Sequence, residues 1–248
     1  MSRLAQNRKT EGGRKALLYA IPFLIGFGAL VDQYCTPWGQ PVVSLVIWLA
    51  YVFLLWIESA QARPALVACL VLATLGEMVL SLVWGLYDYR LQNIPLFVPP
   101  GHVLLFWFGL QTVARVPGRL LDSVLPVSGV LALVLALASQ DGLSIFLWAM
   151  FLACRVWGST PRFYAWMFVI ALIMEVFATQ VGNWHWQRVV PILGLPTTNP
   201  PLAAGAFYCV LDVLVLAVTG PAMQARFAGP WRLARTGFAS VLRVFRSS

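Results

Sequence analysis

The sequence predicts an all-α polytopic membrane protein, with about eight transmembrane helices in two four-helix halves. Of its 248 residues 60% are hydrophobic and only 10% are charged, and the mean hydropathy is +0.79. A soluble domain needs about a quarter of charged residues to cover its surface. Apolar blocks of about 17–21 residues recur along the chain, and ~20 residues span a bilayer as a helix. Lysines and arginines gather in alternate connecting segments, which predicts the topology.

The spans and their orientation follow from the apolar blocks and the basic residues together. The blocks fall near 16–32, 41–57, 65–85, 101–114, 120–138, 143–157, 163–182 and 203–219. The fourth and sixth are short, so seven spans are an alternative. Both chain ends are basic, which places both in the cytoplasm and requires an even number of spans. Fifteen of the 17 basic residues then lie inside, and only Arg90 and Arg188 lie outside.

This topology divides the chain into four parts and assigns it to the cytoplasmic (inner) membrane as a multi-pass protein. A basic cytoplasmic N-terminus, 1–15, precedes the first half, 16–119, and the second half, 120–220. The tail, 221–248, alternates arginines with apolar residues and predicts an amphipathic helix on the inner leaflet. The net charge of +8 is explained by topology and lipid contact, so no nucleic-acid partner is expected.

An internal repeat relates the two halves. Glu77 precedes "GLYDYR", which ends at Arg90, and Glu175 precedes "GNWHWQR", which ends at Arg188. Prolines follow in both units, and the offset between matching residues is 97–98. The pattern predicts two halves in parallel orientation, as some membrane proteins contain.

Three carboxylic acids fall inside apolar helices, namely Glu77, Glu175 and Asp212. An acidic group at the centre of a spanning helix costs ~2.5–3.5 kcal/mol on insertion scales. Such residues therefore indicate function by default. Burial favours the neutral acid, so we expect the two glutamates to hold their protons and to meet near the middle of the bilayer. The alternative is a structural hydrogen bond, to Thr or Ser on the same helix face or, for Asp212, to Tyr208.

The other candidate residues lie near the outer ends of these helices. His102 is the fourth catalytic candidate. The predicted substrate-binding residues are Trp84, Tyr87, Tyr89, Arg90, Asn93, Trp184, His185, Trp186, Arg188, Asn199 and Tyr208. The aromatic residues fit an interfacial belt as well as a lid over a cavity. The two arginines fit loop anchors as well as substrate contacts.

Motifs for common cofactors and metals do not occur in the sequence. It has no P-loop, no Rossmann glycine pattern, no G-x-S-x-G and no H-E-x-x-H. Its four cysteines form no CxxC or Cys/His cluster, so no metal site is predicted. Three cysteines lie in apolar blocks, whereas Cys35 lies in an outer loop. We expect no cofactor.

The segment from Glu77 to Leu96 resembles the membrane carotenoid hydratase family, which is related to the small membrane lycopene cyclases. The resemblance rests on Glu77, on Trp84-Gly85-Leu86-Tyr87-Asp88-Tyr89 and on Ile94-Pro95-Leu96, with an echo from Glu175 to Trp186. It implies acid catalysis on an isoprenoid double bond, with Glu77 or Glu175 as the acid and aromatic faces to stabilise a carbocation. It also implies a lipid substrate that enters sideways from the membrane.

Three classes of function remain open from the sequence. The preferred interpretation is an enzyme that hydrates, cyclises or isomerises an isoprenoid or another lipid. A proton-coupled transporter would also use eight helices, two halves and midplane carboxylates. A non-catalytic membrane subunit would bind pigment, lipid or a protein partner. A homo-oligomer is compatible with each of them.

Overall fold

The computed structural model describes residues 3–220, with side chains from residue 11 onward. Within that range all regular secondary structure is helical apart from two three-residue strands, β1 (Tyr87–Tyr89) and β2 (Trp184–Trp186), and turns and loops connect the elements. A π-helical segment, Met78–Val83, continues α3, and a 3-10 turn, Val113–Arg115, follows α4. The α-helices are α1 (Arg3–Tyr34), α2 (Gly39–Ile57), α3 (Arg63–Glu77), α4 (Val98–Thr112), α5 (Gly118–Leu137), α6 (Leu143–Trp157), α7 (Pro161–Val181) and α8 (Gly205–Val218).

Within the described residues, five helical segments are long and apolar enough to cross a membrane, which indicates an α-helical membrane protein. They are Glu11–Tyr34, Gly39–Ile57, Arg63–Val83, Gly118–Leu137 and Pro161–Val181. The helices α4, α6 and α8 have 15, 15 and 14 residues. At 1.5 Å per residue they are ~21–23 Å long, less than the ~30 Å hydrocarbon core.

Some element boundaries differ from those expected. The basic segment 1–15 does not stand apart, because α1 already begins at Arg3 and runs without a break into the first apolar block. The fourth helix begins at Val98 and not at 101, since Pro99 and Pro100 fit the first turn, where no backbone donor is needed. The predicted amphipathic tail, 221–248, lies outside the described residues.

Four inner helices enclose the centre of the molecule. Among the described helices, α3 packs against α4, α4 against α7, α7 against α8 and α8 against α3, which closes a ring. The helices α1 and α2 cover one side of this ring, and α5 and α6 lie on the other. Side chains that point to the centre from these four helices therefore meet one another.

The strands β1 and β2 pair with each other at one end of the ring. They pair antiparallel, with Tyr87 opposite Trp186 and Tyr89 opposite Trp184. Each strand follows a glycine with positive φ, Gly85 at +70° and Gly182 at +95°. Glycine adopts this left-handed backbone without strain and commonly ends a helix there. The repeat motif G-x-aromatic-x-aromatic thus encodes a helix stop and a short strand, which we had not predicted.

Candidate functional site

Glu77, the last residue of α3, is surrounded by hydrogen-bond donors. Its Oε2 accepts hydrogen bonds from the hydroxyl groups of Tyr87 (2.8 Å) and Tyr89 (2.6 Å) on β1. Its Oε1 lies 2.9 Å from Nε2 of His102, near the start of α4. All of these groups are buried or nearly so. Both oxygens of the carboxyl group are therefore engaged within the protein.

The strand explains why two tyrosines reach one carboxylate. Side chains two residues apart point to the same face of a strand, so Tyr87 and Tyr89 face inward while Asp88 is exposed. The pKa of both tyrosine hydroxyls lies well above the ordinary value for tyrosine. The larger cause is burial, and the second is the neighbouring Glu77 carboxylate. The hydroxyls therefore stay protonated and act as donors.

Glu175, in α7, is held by a second set of three donors. Its Oε2 accepts hydrogen bonds from the indole Nε1 of Trp184 (2.9 Å) and of Trp186 (3.1 Å), both on β2. Its Oε1 accepts one from the Tyr208 hydroxyl at 3.0 Å, on α8. Each glutamate thus receives two donors from the strand after its own helix and one from the helix after that strand.

The two sets of donors touch through His102 and Tyr208. Their rings lie 4.8 Å apart at an interplanar angle of 33°. Glu77, His102, Tyr208 and Glu175 form one continuous group, and each comes from a different helix of the inner ring. The two glutamates are thus linked through the rings of His102 and Tyr208. Of the residues in this group, His102 alone among those described has a buried polar atom without a partner, its Nδ1.

Two cavities flank this group, and five residues line both of them: Glu77, Tyr87, His102, Glu175 and Tyr208. Cavity 1 lies between α1, α2, α4 and α7 and has a volume of about 750 Å³ including its open mouth. Cavity 2 lies between α3, α6 and α8 and has about 1100 Å³ on the same measure. The remaining linings are almost entirely apolar.

Cavity 2 opens at the side of the helical bundle. Leu75, Val79 and Leu214 line it and are 52%, 51% and 45% exposed. The first two belong to the apolar segment Arg63–Val83, which is long enough to cross a membrane. The mouth of this cavity is therefore apolar and lies along a membrane-spanning segment.

Asp212 does not join the glutamates. It lies in α8 and is fully buried, but it lines neither cavity. Neither of its carboxylate oxygens has a hydrogen-bond partner among the described residues. The expected bond to Tyr208 is not formed, because that hydroxyl turns to Glu175. Asp212 was expected near the glutamates because it lies at a similar depth along its helix. Depth does not determine the face of the helix from which a side chain projects, so the expectation was wrong.

Several predicted substrate-binding residues instead fasten the loops at the strand end of the molecule. Arg90 donates to the carbonyl oxygen of Asp32 at 2.6 Å and to its Oδ1 at 3.1 Å. Trp84 donates to the carbonyl oxygen of Pro191, and Asn93 to Oε1 of Gln40.

The remaining three candidates lie on β2 or beside it. Asn199 accepts a hydrogen bond from the backbone N–H of Trp186 at 3.0 Å and so positions that strand. His185 and Arg188 are exposed and line neither cavity.

Asn183 and Asp32 were missed by the sequence analysis. Asn183 lines cavity 1, is 2% exposed and donates to Oδ2 of Asp32 at 2.7 Å. A signal was available for Asn183, because in the repeat it stands where the first half has the buried Leu86. Asp32 gave no such signal, since a carboxylate near a helix end is ordinary.

Among the described residues, no group of three or more His, Cys, Asp or Glu side chains is placed to hold a metal ion. Comparison with protein-family models, with curated proteins and with solved structures finds no match for this chain. The case for a function therefore rests on the chemistry of the site itself.

Proposed function

We propose that this protein is an integral membrane enzyme that transfers protons to and from an apolar, isoprenoid-like lipid. The observation that carries the proposal is the paired arrangement of Glu77 and Glu175, each held by three donors, between two apolar cavities. Burying two carboxyl groups together is costly unless they are satisfied or functional. Here the surrounding aromatic donors satisfy them, while the cavities bring an apolar ligand to them.

His102 is assigned as the group that exchanges the proton with the lipid, and Glu77 as its partner. A candidate acid or base needs a polar atom that is free to exchange a proton, and Nδ1 of His102, a residue of both cavity linings, has no partner among the described residues. Its other nitrogen is oriented by Oε1 of Glu77, the arrangement in which a carboxyl group fixes the orientation of an imidazole. Glu175 is the second carboxyl group of the site and is held by Tyr208, whose ring contacts that of His102.

The reaction begins when protonated His102 gives its proton to one carbon of a C=C bond. The π electron pair forms the new C–H bond, and the other carbon becomes a cation. The faces of Tyr87 and Trp186, whose rings lie 4.8 Å apart, stabilise this charge through their quadrupoles. The cation then follows one of three routes. Water adds to it and loses a proton, or a neighbouring carbon loses a proton directly, or a second C=C bond attacks it to close a ring and the new cation loses a neighbouring proton. In each case one proton returns to the protein, so no external oxidant or reductant is needed.

The substrate is proposed to be a neutral lipid. Of the described residues that line the two cavities, none is Lys or Arg. A phosphate or carboxylate headgroup would thus find no Lys or Arg to pair with, and burying a charge without such a pair is costly. The resemblance of the segment after Glu77 to the carotenoid hydratase family supports an isoprenoid chain, and with it a role in carotenoid biosynthesis.

The proposal includes eight spans, two structurally related halves and cytoplasmic termini. The orientation is supported by the distribution of Lys and Arg, since it places 15 of them on the cytoplasmic side and two on the outer side. The antiparallel pairing of β1 with β2 and the matched donor sets of the glutamates support the two halves. One extra residue separates Glu77 from Tyr87 compared with Glu175 from Trp184, and the π-helical segment of the first half accommodates it.

The test measures hydrogen exchange between water and lipid. Membranes that contain the protein are incubated in D₂O with a neutral polyisoprenoid such as squalene, or with their own extracted lipids. Deuterium incorporation into the lipid is then measured by mass spectrometry. General acid–base catalysis contributes roughly 10²–10⁴-fold, so we expect Glu77→Gln and His102→Phe each to lower incorporation at least about 100-fold. The Phe ring preserves stacking on Tyr208 but has no nitrogen.

Asp88→Asn is the matched control, because Asp88 is exposed and its partner Gln187 can donate to an amide oxygen. It should leave incorporation unchanged. Unchanged incorporation in both site variants would contradict the enzyme assignment. A pH-dependent lipid flux that Glu77→Gln abolishes, without any deuterium in the lipid, would favour the transporter instead. A tightly bound protein partner and tolerance of both Gln substitutions would favour a non-catalytic subunit.

A further inference from the structure

Asn183, a residue that lines cavity 1, has a buried amide oxygen without a donor among the described residues. Both Nδ2 hydrogens of Asn183 are used, by the carbonyl oxygen of Ala29 at 3.0 Å and by Oδ2 of Asp32 at 2.7 Å. Exchanging the amide nitrogen and oxygen would set an acceptor against two acceptors, so the orientation of the amide is fixed. The remaining atom, Oδ1, is buried and has no partner among the described residues.

A second unpartnered polar atom, Nδ1 of His102, belongs to a residue of the same lining. Buried polar groups are usually hydrogen-bonded, and an acceptor that stays unpaired is costly. An amide oxygen can only accept, so its partner must bring a hydrogen. Among the described residues that line cavity 2, only His102 has a buried polar atom without a partner, its Nδ1. Cavity 2 therefore has no unpaired acceptor comparable with Oδ1 of Asn183.

We propose that cavity 1 is a hydroxyl-binding site and that the ligand is a neutral lipid alcohol. Its O–H donates to Oδ1 of Asn183, and its apolar chain passes the carboxylates into cavity 2. This inference rests on the proposed function, because the alcohol is taken to be the substrate or the product of the proton transfer. An ether, ketone or hydrocarbon of the same length lacks the required donor.

The positions of the two cavities fit the way in which a lipid alcohol lies in a membrane. Asn183 lies between α7 and β2, immediately before the first residue of β2, so it lies at the strand end of the bundle. The mouth of cavity 2 lies beside Leu75 and Val79, within an apolar segment. The hydroxyl group of the ligand thus lies near Asn183, at the strand end of the bundle. The apolar chain of the ligand lies at the depth of the hydrocarbon core of the membrane.

The experiment compares two probes, geranylgeraniol and its methyl ether, which share one chain and differ in the O–H hydrogen. Dissociation constants are measured from the ligand-dependent rise in the unfolding temperature of the full chain in detergent. We expect the alcohol to bind at least tenfold more tightly than the ether. In Asn183→Ala this ratio should fall to about one, because the acceptor is gone. The ratio compares two ligands in one variant and is independent of that variant's stability.

Two glycine variants test the path of the chain. A Cβ added at Gly76, which lines cavity 2, meets no atom within 4 Å, and the same holds for Gly26 on α1, which lines neither cavity. Gly76→Leu should weaken both probes by about tenfold and preserve their ratio, whereas Gly26→Leu should change neither. If Asn183→Ala does not fold, the ratio in the wild type and in Gly76→Leu still tests the site.

An ether that binds within threefold of the alcohol in the wild type would overturn the inference, since water alone would then satisfy Oδ1. A preserved preference in Asn183→Ala, or no binding of either probe, would also overturn it. These outcomes are separate from the fate of the proposed function. A clear preference for the alcohol together with no deuterium exchange would refute the enzyme and leave the hydroxyl site in place.

Discussion

At the scale of single residues, the site depends on aromatic donors that point at carboxylates. An indole N–H can only donate, so Trp184 and Trp186 are suited to no other role toward Glu175. From the sequence alone, these aromatic residues fit an interfacial membrane belt as well as a lid over a cavity. The structure gives them a third role, because their indole N–H groups, and not their ring faces, contact the carboxyl group of Glu175.

Glu175→Leu and Glu175→Gln should differ sharply in stability. Leucine leaves three donors without an acceptor, and each costs about 1–3 kcal/mol. Glutamine can keep its oxygen toward both indoles and donate its amide to the Tyr208 hydroxyl, so its cost should be about 1 kcal/mol or less. Thermal unfolding in detergent measures both variants. Equal unfolding temperatures for the two would contradict the donor arrangement.

At the scale of helices, the close approach of α7 and α8 determines how Glu175 and Tyr208 are placed relative to each other. These helices carry Glu175 and Tyr208, and Gly205 lies at the start of α8 against the backbone of Phe168. Glycine lets the backbones touch, as is common between membrane helices. The helix positions, and so the distance from Tyr208 to Glu175, depend on this small residue.

Gly205→Ala should destabilise the protein, because its Cβ would overlap the carbonyl oxygen of Phe168, and backbone cannot move aside cheaply. We expect a loss of about 1–3 kcal/mol, the usual range for overpacking. Gly109→Ala in α4 is the matched control, since its Cβ would meet the flexible side chain of Met167. Thermal unfolding compares the two. A greater loss for Gly109→Ala would show that helix α8 is not held in this way.

At the scale of the whole molecule, the proposed orientation in the membrane rests on the distribution of charge. The loop between α1 and α2 is proposed to lie outside, and it contains Cys35, which is exposed. The other three cysteines, Cys69, Cys154 and Cys209, are buried. The chain therefore carries its own probe for the side on which this loop lies.

We expect a membrane-impermeant maleimide to label Cys35 in sealed right-side-out vesicles. Inverted vesicles should be labelled only after detergent opens them. Cys35→Ser should abolish the signal in both preparations, which controls for the buried thiols. Labelling confined to intact inverted vesicles would place the loop inside and reverse the proposed topology.

The sequence by itself determined the class of the protein and the main parts of the site. Hydrophobic blocks of bilayer length predicted an α-helical membrane protein, because only a helix satisfies its own backbone in lipid. The same logic singled out Glu77 and Glu175, since an acid in an apolar helix stands out against its surroundings. The repeat predicted that their neighbourhoods would match, and it supplied Tyr87, Tyr89, Trp184 and Trp186.

Only the tertiary structure decided which groups face one another. It turned Asp212 away, brought His102 and Tyr208 between the glutamates, and left the buried amide oxygen of Asn183, a residue that lines cavity 1, without a partner among the described residues. The physical reason is that composition and spacing fix how deep a residue lies, whereas the rotation of each helix depends on packing against its neighbours. Pairing of β1 with β2 is likewise a contact between distant segments, which no local pattern of three residues encodes.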